Sequence, residues 1–143
     1  MTKFMLLVKY DETPGEPAPM TSWDQADITA HLDYYRKLND ELRASGELVG
    51  GEVLAGPAQA RRVVSDGRGA PVVTDGTFAE AKELLAGYQI VDVDSEQRAL
   101  EIAARVSEVP GPGGVPLGQS IEVRQVMTEM GDDVSWIDEP RGS

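Results

Sequence analysis

Residues 71–94 read PVVTDGTFAEAKELLAGYQIVDVD. The β-branched run PVVT and the run AGYQIVDV both read as strands, so the fold turns on what TDGTF does between them. As a turn, Asp75 accepts a backbone hydrogen bond, Gly76 supplies positive φ and Phe78 returns to the core. Thr77 with Glu80 also fits a capping box for one or two helical turns over AEAKELL. As a site, Asp75, Glu80 and Lys82 line a pocket at the sheet end, where a partly desolvated carboxylate acts as a base.

Upstream, RRVVS and APVVT are joined by DGRG and read as a hairpin. ELVGGEVL (47–54) before it is a glycine-softened strand. Earlier still, Ile28, Leu32, Tyr35, Leu38 and Leu42 recur at three- and four-residue spacing. This predicts one amphipathic helix, capped by Ser22 with Gln25 and stopped by Gly46. DETPGEPAPM can only be a loop. The first run is apolar on both alternating sets, Phe4, Leu6 and Val8 against Met5 and Leu7, which marks a strand buried on both faces. Downstream, Asp94 or Ser95 caps a second helix to about Ser107, with Ala99, Ile102, Ala103 and Val106 inward. SIEVRQVM (120–127) is a closing strand.

The order is β, α, β, hairpin, β, α, β. Without the hairpin this is the split βαββαβ unit, an α+β fold with two helices on one face of an antiparallel sheet. The opposite face is then bare, although the first strand is apolar on that side too. A second copy of the chain, sheet against sheet, is the economical cover, so a homodimer is expected. Residues 1–128 read as one domain and 129–143 as an acidic tail in which Trp136 and Ile137 can dock on a neighbour.

Composition narrows the function classes. The formal net charge of −12 repels phosphate backbones and argues against nucleic acid. The chain has no cysteine, which removes thiolate nucleophiles, disulfides and cysteine-based metal sites. With one histidine, no metal centre is expected; Asp92, Asp94, Asp132 and Asp133 read as solvated surface. The glycine-rich loops lack a phosphate-loop ending, so nucleotide binding has no support, and no serine sits in the nucleophile elbow that a Ser–His–Asp hydrolase needs; no cofactor is expected. The apolar run Phe4 to Val8 is too short for a signal-peptide core or a membrane span, and a cytoplasmic protein is expected.

His31 falls inside the apolar stripe of the first helix by the 100° count. A core histidine bonded to backbone is one reading. The other is a histidine aimed into a cleft, the chain's best acid–base group, with Tyr35 one turn later beside it.

TDGTFAEAKELLAGYQIVDVDS resembles the signature of DGPF proteins in the YCII-related group, with Thr77 in place of the namesake proline. LNDELRASGELVGGEVL, ALEIAARV and SIEVRQVM resemble further blocks in the same order. The resemblance implies a ferredoxin-like protomer with an inserted hairpin, paired into a dimeric α+β barrel. Asp75, Glu80, Lys82, Glu83, Glu52 and Arg124 match the pattern. The group's proposed histidine–aspartate pair has its aspartate in an Asp-Pro-Tyr loop, where this chain has SEVPGPGG. Many members are encoded beside extracytoplasmic-function sigma factors. Two functions follow as expectations. One is a dimer binding a small ligand or a partner in an accessory role, its ligand met by Tyr35, Glu52, Glu80, Lys82 and Arg124, with His31 satisfied by backbone. The other is a cofactor-independent acid–base isomerase or lyase on a small organic substrate. It would use His31 and Asp75 within about 4 Å of each other or of a shared pocket.

Overall fold

A computed structural model of the chain describes residues 1–10, 20–76 and 84–127. The described elements are β1 (Thr2–Tyr10), α1 (Gln25–Ala44), β2 (Leu48–Val53), β3 (Arg61–Val64), β4 (Val72–Asp75), β5 (Leu84–Val93), α2 (Glu96–Ser107) and β6 (Ile121–Gln125). A four-stranded sheet runs in the order β2-β5-β1-β6 with every neighbouring pair antiparallel. The unit β1–α1–β2 steps over β5, and β5–α2–β6 steps over β1. This is the ferredoxin-like α+β fold expected from the element order.

Strand periodicity sorts the sheet into two faces. Phe4 and Leu6 of β1 and Val91 and Val93 of β5 are buried against Leu38 and Leu42 of α1 and Ala99, Ile102, Ala103 and Val106 of α2. The alternate set faces away from the helices. Leu32, assigned to the apolar stripe by spacing, is instead 50% exposed. The stripe drifts off the contact surface there, and His31 takes the inward position.

Capping explains the helix ends. Ser95 Oγ accepts from the Arg98 backbone N–H at 3.2 Å, as the sequence suggested for α2. The expected Ser22–Gln25 capping box does not form. Ser22 belongs to a short 3-10 turn, Met20–Ser22, closed by the Trp23 N–H on the Met20 carbonyl. That turn moves the N-cap to Asp24, whose side chain makes no capping bond. At the far end Glu47 N–H reaches the Leu42 carbonyl and Gly46 N–H the Arg43 carbonyl. Gly46 has φ +80°, so the stop is a Schellman turn.

The two helices are tied along their length. Tyr34 donates its hydroxyl to the Arg105 carbonyl at 2.6 Å, Glu41 pairs with Arg105, and Glu47 accepts two bonds from Arg98 at 2.7 and 2.9 Å. The predicted hairpin is present, yet neither β3 nor β4 joins the four-stranded sheet; they form a separate two-stranded ribbon. No described helix is long and apolar enough to cross a membrane.

Candidate functional site

The fold distributes the sequence-predicted residues over three places. In the helix layer, His31 is only 8% exposed and its Nδ1 lies 2.9 Å from the Pro110 carbonyl oxygen, in the loop after α2. A carbonyl can only accept, so Nδ1 is the donor in this bond. Trp23 and Tyr35 meet the ring edge-on, with centroids at 5.4 and 5.2 Å. Burial pushes the Tyr35 phenol up to about 12, and neighbouring Tyr34 adds to the shift. The cluster is a mostly apolar nest in which one ring nitrogen of His31 is committed to the Pro110 carbonyl.

The second place is the sheet face opposite α1 and α2. Register puts Glu52, Tyr88, Leu7 and Glu122 in one cross-strand row, and Gly50, Ile90, Met5 and Arg124 in the next. Met5, Leu7, Tyr88 and Ile90 are each partly exposed, forming an apolar centre over the two middle strands. Lys3, Lys9, Glu52, Asp92, Glu122 and Arg124 surround it, with Lys9 paired to Glu122 at 3.6 Å. Glu52 and Arg124 thus share a face but stand on opposite edge strands, about 15 Å apart from strand spacing and rise.

Asp75 occupies the third place, at the root of the ribbon. It pairs with Arg61 at 3.3 Å, both side chains well exposed, beside an open recess of about 470 Å³ lined by Ala58, Gln59, Ala60, Arg61, Asp75 and Gly76. His31 and Asp75 share no hydrogen bond; their partners are Pro110 and Arg61. Glu80 and Lys82 lie outside the described residues, as do the Thr77–Glu80 capping box, Trp136 and Ile137. Among the described residues no three His, Cys, Asp or Glu side chains gather as a metal site would need.

Sequence reasoning missed Tyr88 and Ile90 as members of the apolar centre opposite the helices, and Trp23 as a neighbour of His31. The open face was signalled by the second apolar set of β1, Met5 and Leu7. Extending that parity through β5 would have found Tyr88 and Ile90. Nothing in spacing announces Trp23, because its contact depends on the unforeseen Met20–Ser22 turn.

Comparison with models of known protein families matches the chain to the YCII-related domain over residues 2–116, from β1 through the loop after α2. The match covers most of the chain, which therefore belongs to the YCII-related family. No curated protein matches it.

Proposed function

From membership of the YCII-related family and the geometry of the open sheet, we propose that the protein is a homodimer that binds a small ligand. Two sheets face each other as a dimeric α+β barrel, and the ligand rests on Met5, Leu7, Tyr88 and Ile90 between them. The carrying observation is that this apolar centre, ringed by charge, lies on the sheet face that neither α1 nor α2 covers. An uncovered apolar sheet face favours a partner or a ligand. The bond from His31 to the Pro110 carbonyl supports binding over acid–base catalysis, since it commits one ring nitrogen to the scaffold. The sigma-factor neighbourhood of similar proteins favours an accessory role. The test is a small-molecule NMR screen with aromatic carboxylates. Shifts should gather on Met5, Leu7, Tyr88 and Ile90 and weaken in Arg124→Ala. Shifts gathering on His31 and Tyr35 instead would move the site to the helix layer and sink this reading.

A further inference from the structure

The β3–β4 ribbon has no role in the site just described. Its register is regular, with Arg61 opposite Asp75, Arg62 opposite Thr74, Val63 opposite Val73 and Val64 opposite Val72. Its turn is well built: Asp66 Oδ1 accepts from the Arg68 N–H at 2.9 Å, and Gly67 takes φ +79°. The root is pinned by Gly76 N–H on the Ala60 carbonyl at 2.7 Å. Beyond that root the four valines are between 55% and 69% exposed. They sit on both faces of the ribbon, Val63 with Val73 on one and Val64 with Val72 on the other. A lone two-stranded ribbon is marginal in water, and one with apolar side chains on both faces gains most from being enclosed.

We infer that this ribbon is an arm with which one copy of the chain grips a second copy. The inference rests on the homodimer proposed above and says which element besides the sheet holds it. Charge favours this occupant. Residues 61–75 hold three arginines and two aspartates, one net positive charge, whereas the rest of the chain carries thirteen net negatives. The arm, with Arg61 held by Asp75 on the ribbon itself, thus adds no negative charge of its own where two acidic copies meet. Two arms exchanged about a two-fold axis satisfy both copies at once.

Hydrogen–deuterium exchange on the full chain across a dilution series, with sedimentation run in parallel, tests this. Amides of 62–64 and 72–74 should slow in proportion to the dimer fraction. Val63→Ser with Val73→Ser, or Val64→Ser with Val72→Ser, should raise the dimer Kd at least about tenfold in whichever pair is buried. These positions are outside the core, so thermal unfolding of the protomer should stay close to that of the parent. A dimer whose ribbon exchanges fast at every concentration overturns the arm and leaves the homodimer intact. Protection that ignores concentration shows that the ribbon is covered by its own chain, which also overturns the arm. A chain that stays monomeric throughout ends both proposals.

Discussion

His31 shows what one side chain contributes when its hydrogen bond closes a loop. Its Nδ1–H holds the Pro110 carbonyl, 79 positions away in sequence, while Trp23 and Tyr35 pack its edges. Removing the ring leaves a cavity and an unpaired carbonyl. His31→Ala should therefore cost about 1–3 kcal/mol in urea unfolding, with little effect on a ligand held on the opposite side of the sheet. Its place on the buried stripe was legible from the 100° count, but the partner was not, because periodicity carries no information about a loop after α2. Tyr35 adds a pH-dependent term. The unfolded phenol ionises near 10, and burial raises the folded one to about 12. The full contribution is present below pH 10 and is lost as pH rises through 12, since only the unfolded chain can shed the proton early. Tyr34 is raised as well, chiefly by burial, so Tyr35→Phe should soften the alkaline loss of stability without abolishing it. Denaturant melts between pH 9 and 12 would show the difference.

Elements are joined here by polar contacts that pattern reading cannot see. Glu47, just after α1, accepts two bonds from Arg98 on α2, and Arg98 also reaches Glu101 at 3.3 Å. The Arg98 bonds hold the Glu47 carboxyl below its ordinary 4.5. A depressed carboxylate stabilises the fold fully above the unfolded value and loses that contribution as pH falls through the folded one. Glu47→Gln should then cost about 1–2 kcal/mol near neutrality and flatten the fall in stability below pH 4.5 in acid melts. The glycines of β2 make a different point. A Cβ at Gly51 would sit 2.6 Å from the Tyr88 carbonyl oxygen and 3.1 Å from the Gln89 Cα. Both are backbone atoms of the neighbouring strand, which cannot yield without breaking the ladder. Gly51→Ala should lose about 2 kcal/mol or more, read by urea unfolding. The sequence announced a glycine-softened strand, and the close approach of β5 is why alanine fails there. Helix stops and the α2 cap were equally readable, since Gly46 and Ser95 act through their immediate neighbours. The α1 cap was misread because a short 3-10 turn, Met20–Ser22, precedes the helix and moves its N-cap to Asp24.

At the scale of the whole molecule, topology was legible because the split βαβ arrangement follows from element order alone. The detachment of β3 and β4 was not, since RRVVS and APVVT carry the same β-branched signal as strands that do join the sheet. The double-sided apolar pattern of β1 is the sequence feature on which the proposed homodimer rests. One of its faces is spent on the helices, and the other places Met5 and Leu7 beside Tyr88 and Ile90, all four partly exposed. If two such faces meet, a cation placed at their centre separates folding from association. In the free protomer, lysine at position 90 can extend past its neighbours Gly50 and Met5 towards water, its stem still covering the sheet. In the dimer the same ammonium is desolvated, and two-fold symmetry brings a second one to the same interface. Ile90→Lys should thus leave the protomer's thermal unfolding nearly unchanged at low protein concentration while raising the dimer Kd by about a hundredfold or more. Sedimentation equilibrium across the micromolar range would measure it. If the variant associates as tightly as the parent, the copies meet through some surface other than the open sheet, and the ligand site between the two sheets goes with it.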